Sequence, residues 1–125
     1  MHLNWIRYNS GKWCQLNSLA LDNSHFDGLG GIYIIWHGGK KPATVKVGQG
    51  NIRDRLTHYK NDWEVQVYKE LGLYVTWAAV NLEYRDGIET FLAKRLKPMV
   101  RRRITSAKDI QVNLPWEKKG EKATA

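Results

Sequence analysis

The stretch KVGQGNIRDRL, residues 46–56, carries side chains whose types and spacing suit phosphate chemistry. Gly48 and Gly50 lie just before an apparent helix, where backbone amides can face a phosphate group. A dinucleotide-binding or P-loop motif needs a third glycine or a Gly-Lys-Ser/Thr ending, and this stretch has neither. We therefore favour an ordinary strand-to-helix turn, and Lys46 and Arg55 become the side chains of interest.

Tyr33 is a second candidate, on the strand signal that precedes this stretch. If the intervening hairpin is symmetric about Gly39 and Lys40, Tyr33 lies directly opposite Lys46 on the same face of the sheet. One interpretation is a phenol that faces an ammonium group in a site. The structural alternative is a packed aromatic ring beside a lysine that reaches toward solvent.

The helix after the turn places basic side chains beside its apolar stripe. At about 100° per residue, Arg55 and His58 fall on one flank of the stripe, whereas Arg53 points away from them, toward solvent. Arg55 can therefore lean over a site on the sheet. A surface contact one helical turn away is the alternative for this side chain.

Glu89 is the carboxylate that completes this set. Its spacing from Asp86 is that of a capping box, which would make it structural. It also borders the apolar face of the same helix, and a carboxylate there is a natural ligand for Mg²⁺, with Mn²⁺ as a substitute. A phenol, an arginine and a carboxylate on a basic protein together suggest metal-assisted phosphodiester cleavage.

The composition limits which elements can position these residues. A chain of 125 residues with 42% hydrophobic residues is expected to form one domain with its own core. Cys14 is the only cysteine, which excludes an internal disulfide and a cysteine-rich zinc site. The formal net charge of +8 favours a polyanionic partner, with nucleic acid first. With no signal peptide or membrane span apparent, we expect a cytoplasmic protein without a membrane partner.

The periodicity predicts a β-hairpin, a helix, a third strand and a second helix. The runs GIYIIW and ATVKVG form the hairpin, and a helix over about 51–61 begins at Asn51 as N-cap. The run LYVTWAAV predicts the third strand, and a longer helix around Glu89 ends at Pro98. Residues 1–29 are interpreted as an N-terminal extension and 117–125 as a charged flexible tail.

These residues occur in the order of a known family. GIY at 31–33, KVG at 46–48, NIRDRLTHY with Arg55, the Glu89 helix, and Asn113 together resemble the GIY-YIG nuclease domain over residues 30–116. The resemblance implies an α/β fold of the α+β type, with a small three-stranded antiparallel sheet flanked by helices. It also implies a divalent-metal-dependent endonuclease that hydrolyses phosphodiester bonds in DNA.

The resemblance assigns a role to each matching residue. Tyr33 would orient or deprotonate the attacking water, Arg55 would stabilise charge on the phosphate, and Glu89 would hold the metal. His58 and Tyr59 would contact the scissile phosphate or the nucleophile, and Asn113 would support the site.

Lys46 is where the sequence departs from the family, whose members mostly have tyrosine there. We expect its ammonium group to lower the pKa of the neighbouring Tyr33 phenol or to bind phosphate directly. The departure also leaves open an alternative function, a nucleic-acid-binding module that has kept the nuclease fold with weakened or no catalysis.

Substrate binding beyond the site is expected from basic residues that contact phosphates without reading sequence. These residues are Lys40, Lys41, Arg101, Arg102 and Arg103. The expected partner is duplex or branched DNA, with RNA also open and with either a monomer or a homodimer as the binding form.

Overall fold

The core of the protein is an antiparallel sheet between helices, seen in a computed structural model that describes residues 1–100 and 106–116. The strands are β1 (Cys14–Gln15), β2 (Gly30–His37), β3 (Ala43–Asn51) and β4 (Leu73–Ala79), and they lie in the order β1-β4-β2-β3. The mixed helix and strand class is thus confirmed. The prediction of three strands is wrong by one, because the short β1 pairs with β4.

Three α-helices complete the described part of the chain: α1 (Ile52–Tyr59), α2 (Trp63–Gln66) and α3 (Leu82–Leu96). Asn51 is the N-cap of α1 as predicted, since its side chain accepts a hydrogen bond from the Asp54 amide at 3.0 Å. Helix α3 begins earlier than the capping-box interpretation required. Glu89 therefore lies inside the helix, and its interpretation as a capping residue is wrong.

The hairpin of β2 and β3 is confirmed, but its register differs from the prediction. Tyr33 pairs with Gly48, and Lys46 pairs with Ile35, so Tyr33 and Lys46 are not directly opposite. The loop is centred on Lys40 and not between Gly39 and Lys40, which shifts the pairing by one residue. A bulge between Ile35 and Trp36 shifts it by one more. The two changes together displace the predicted pairing by two residues.

Both faces of the sheet are buried, each beneath one helix. On one face α1 packs through Ile52 and Leu56 against a cluster that includes Tyr33 and Ile35. On the other face α3 packs through Ile88 and Leu92 against a second cluster, which includes Ile32, Ile34 and Val47. The double burial explains why β2 is an unbroken apolar run from Ile32 to Trp36.

The N-terminal segment contributes to both clusters. Leu16 and Phe26 are buried beneath the α1 face, and Leu3 and Trp5 beneath the α3 face. Arg53 does not point to solvent as predicted: it donates hydrogen bonds to the Leu21 and Asn23 carbonyls and to the Asp27 carboxylate. This arginine therefore ties α1 to the segment that precedes β2.

Asn113 fastens the other end of that segment. Its side chain accepts from the Leu3 amide at 2.6 Å and donates to the Leu3 carbonyl at 3.0 Å, while its own carbonyl accepts from Trp5 Nε1 at 2.9 Å. The residue thus satisfies main-chain groups more than one hundred positions away in sequence. Within the described residues, no helix is both long and apolar enough to cross a membrane.

We expect Asn113→Ala to lower the free energy of unfolding by about 1 to 3 kcal/mol, because both Leu3 main-chain groups lose their partner. Urea denaturation measures the change. Asn4→Ala, which removes an exposed amide from the same segment, is the matched control. Equal unfolding midpoints for the two variants would contradict this role.

Candidate active site

A cleft of about 370 Å³ lies around the outer edge of β3. It is lined by Tyr33, Lys46, Val47, Gly48, Gln49, Arg55, Tyr59 and Glu89. Towards the hairpin loop, the Met99 and Val100 amides donate to the Thr44 and Val45 carbonyls. The cleft therefore occupies the stretch of this edge beyond those bonds, and the fold brings five of the predicted site residues together there.

Tyr33 is held across the backbone of β3. A Cβ atom at Gly48 would overlap the Tyr33 hydroxyl and lie 2.5 Å from the ring carbon that bears it. The ring is 2% exposed, and its centroid lies 5.7 Å from that of Tyr59. Only glycine at position 48 lets the phenol reach this place.

Burial raises the pKa of Tyr33 well above its ordinary value. Loss of hydration disfavours the charged phenolate, and interaction with the Tyr59 hydroxyl adds to this effect. Arg55 opposes the rise only in part. The expectation that a neighbouring lysine lowers the pKa of Tyr33 is therefore wrong, and the phenol stays protonated at neutral pH.

Two cations flank the Tyr59 ring at the mouth of the cleft. Arg55 Nη2 donates to the Tyr59 hydroxyl at 3.3 Å, and its guanidinium carbon lies 5.5 Å from the ring centroid. This hydrogen bond raises the pKa of Arg55, so its charge is secure. Lys46 Nζ lies 5.9 Å from the same ring centroid. An anion entering the cleft would meet both groups.

Glu89 of α3 reaches the cleft from the other face of the sheet, and Asp86 lies one turn before it. Glu89 is 5% exposed, and Gln49 Nε2 donates to both Glu89 Oε1 at 3.2 Å and Asp86 Oδ1 at 2.6 Å. Sequence reasoning missed Gln49. Strand alternation was the available signal, because it places residue 49 on the face opposite Lys46, toward α3.

This donor set fits a hard divalent cation. Carboxylate and amide oxygens are ligands that Mg²⁺ accepts, and this ion keeps most of its waters and needs only one or two carboxylates. Glu89 and Asp86 supply two such groups one helical turn apart. The described part of the chain holds no cluster of three or more His, Cys, Asp or Glu side chains, so a site built wholly from protein ligands is not found there.

Other predicted residues lie away from the cleft. His58 has a side chain 52% exposed and 3.8 Å from Asp62, and its ring is nearly perpendicular to that of Tyr59. Asn113 binds the N-terminal segment, and it does not line the cleft. Lys40 and Lys41 are exposed in the loop between β2 and β3. The predicted phosphate contacts at Arg101, Arg102 and Arg103 lie outside the described residues.

Comparison with family models, curated proteins and solved structures finds no match for the chain.

We expect the free energy of unfolding to fall as the pH rises above about 10, the ordinary pKa of tyrosine, because the unfolded chain then ionises Tyr33 while the folded chain keeps it neutral. Tyr33→Phe should show a shallower decline over the same range. Urea denaturation at a series of alkaline pH values measures the difference. Tyr84→Phe removes an exposed phenol and serves as the control; identical slopes for wild type and Tyr33→Phe would contradict the effect of burial.

Proposed function

We propose that the protein is a divalent-metal-dependent endonuclease of the GIY-YIG type, which hydrolyses phosphodiester bonds in DNA. The observation that carries this proposal is the cleft at the edge of β3, where two phenols, two cations and a buried carboxylate converge. These groups come from both faces of the sheet and from four elements, β2, β3, α1 and α3. Their order along the chain is that of the nuclease family.

Phosphate binding falls to Arg55 and Lys46. A guanidinium group can bind a phosphate through two parallel hydrogen bonds, whereas an ammonium group acts as a point charge. Because Arg55 is already oriented by Tyr59, it loses little freedom when it binds the anion. Its fixed charge suits the negative charge that develops on the phosphoryl oxygens during cleavage.

Tyr33 has a positioning role in this proposal. A phenol that stays protonated at neutral pH is a poor general base, but it can hold the attacking water or a phosphate oxygen by a hydrogen bond. Its location over Gly48 fixes that hydroxyl relative to Arg55 and Tyr59. Water orientation by Tyr33 therefore remains in the proposal, and deprotonation of the water by this residue does not.

Glu89 would hold Mg²⁺ or Mn²⁺, with Asp86 as the nearest second carboxylate. When bound, such an ion acts as a Lewis acid that stabilises charge on the phosphoryl and leaving oxygens. Gln49 orients both carboxylates through its amide, in the way that outer groups commonly orient metal ligands.

We expect Glu89→Gln to reduce DNA cleavage by about a hundredfold or more, because the neutral amide loses the charge that attracts the metal. Conversion of supercoiled plasmid to nicked and linear forms with Mg²⁺ or Mn²⁺ measures the rate, and branched DNA and RNA are offered in parallel. Glu83→Gln, on an exposed turn of the same helix, is the matched control and should cut at the wild-type rate.

The same assay separates the nuclease from the non-catalytic binding module. Cleavage by Glu89→Gln at the wild-type rate would show that Glu89 has no role in catalysis. Absence of metal-dependent cleavage in the wild type, with DNA binding intact, would instead favour the module. Lys46 at the place of the family tyrosine is the feature that keeps this second candidate open.

We expect Arg55→Lys to slow cleavage by about tenfold or more, although the positive charge is retained. Lysine cannot both bond the Tyr59 hydroxyl and present a planar pair of donors to phosphate. The cleavage rate at saturating DNA is the measurement, and Arg95→Lys on the exposed last turn of α3 is the control. Equal rates for the two variants would show that charge alone is required.

A further inference from the structure

An aromatic pocket of about 410 Å³ lies at the hairpin-loop end of the sheet, apart from the cleft. Its lining consists of Trp13, Trp36, Pro42, Ala43, Thr44 and Trp116. The cleft shares none of these residues. We name it the tryptophan pocket.

The pocket is built on the sheet. Trp36 pairs with Tyr74 on β4 and with Thr44 on β3, so these side chains form a row across three strands. The Trp36 ring stacks on Tyr74 with centroids 5.9 Å apart. Trp13 and Trp116 meet Trp36 edge to face, at 5.3 and 5.9 Å. The walls are therefore held by packing and not only by a loop.

Arg7 fixes two of these walls. Its guanidinium carbon lies 3.8 Å from the centroid of the Trp13 ring, and its Nη2 donates to the Pro115 carbonyl at 3.2 Å, next to Trp116. Pre-organisation of this kind reduces the entropy that a ligand must overcome on binding.

We propose that the tryptophan pocket binds an unpaired base of a single-stranded nucleic acid. Bases stack on aromatic side chains whatever their identity, and basic side chains nearby follow the phosphate backbone. Here Lys12 adjoins Trp13, and Lys40 and Lys41 come directly before Pro42; all three are exposed. The described lining contains no acidic group.

The charge around the pocket favours this occupant over a methylated ammonium group. Aromatic cages that bind such cations rely on attraction between the ring faces and positive charge. At this pocket Arg7 already covers the Trp13 ring, and three lysines lie close by in sequence, so an incoming cation would be repelled. A polyanion with flat rings satisfies both the charge and the aromatic walls.

The proposal extends the proposed nuclease function, since it gives the substrate a contact beyond the cleft. Trp36 lies three residues beyond Tyr33 on β2, about 10 Å along the strand, and its side chain lies on the opposite face of the sheet, beside the α3 cluster. Both sites border β3, the outer strand, so one nucleic acid reaches both by passing around that edge. A nucleic acid that reaches both sites would carry an unpaired segment near the cleavage site, as at a branch, a flap or a nick.

Binding in EDTA tests the pocket without cleavage. Fluorescence anisotropy measures the affinity for two labelled oligonucleotides of about ten nucleotides. One consists of thymidines, and the other has the same phosphates but abasic sites in place of the bases. We expect the wild type to bind the thymidine strand about tenfold more tightly, and Trp116→Ala to remove most of that preference. Trp116→Phe should retain part of it, because a ring remains.

Trp63→Ala is the matched control, since it removes a tryptophan that is 76% exposed on α2 and is not in the pocket. It should keep the wild-type preference. Equal affinity of the wild type for both strands would overturn the proposal without any variant, and so would a preference that Trp116→Ala retains in full. A proline-rich peptide that displaces the thymidine strand from Trp116→Ala as effectively as from the wild type would also overturn it.

The outcome is separable from that of the nuclease proposal. A base-dependent preference in a protein that never cuts would refute cleavage and leave the tryptophan pocket standing. Metal-dependent cleavage with equal affinity for the thymidine and abasic strands would support the nuclease and overturn the tryptophan pocket.

Discussion

The position of the Tyr33 ring over Gly48 is the constraint on which the site depends. Any side chain at position 48 would overlap the phenol, and the phenol cannot move away because it belongs to the core beneath α1. Tyr59 lies against that ring, and Arg55 bonds the Tyr59 hydroxyl. The next residue along β3, Gln49, points to the opposite face and bonds the carboxylates of α3. Two consecutive residues on one strand thus join the two halves of the cleft.

Burial fixes the position of the Tyr33 hydroxyl and limits the reaction steps in which it can take part. The close packing that removes water from the hydroxyl also keeps it in one place, and the same burial raises its pKa, so the group is well positioned but its phenolate form is scarce at neutral pH. Arg55 partly offsets the rise, yet the phenol remains neutral. A reaction at this site therefore depends more on oriented hydrogen bonds and fixed positive charge than on a tyrosinate. Lys46 fits such a site as a cation near Tyr59.

Local signals in the sequence predicted the parts of the fold that depend on neighbouring residues. The hairpin, the third strand and the Asn51 cap are of this kind, because propensity and capping act over a few positions. The register was not predictable, since it depends on the loop length and on a bulge. Tyr33 and Lys46 nevertheless share the predicted face, because a displacement of two residues preserves the alternation of side chains. The contacts of Asn113 and Arg53 are long-range pairings that no local pattern encodes.

The outer edge of β3 connects these features. Exposed strand edges invite unwanted pairing, and proteins usually cover or interrupt them. Here the chain after α3 covers the edge near Thr44 and Val45. Beyond that point, Lys46 and Gly48 line the cleft, where a cationic side chain next to a residue without a side chain suits a polyanion better than another strand. The surroundings of this edge are cationic on one face, where Lys46 and Arg55 lie, while the carboxylates of α3 on the other face are held by Gln49. The feature that would otherwise promote aggregation is therefore where the chain concentrates its candidate chemistry.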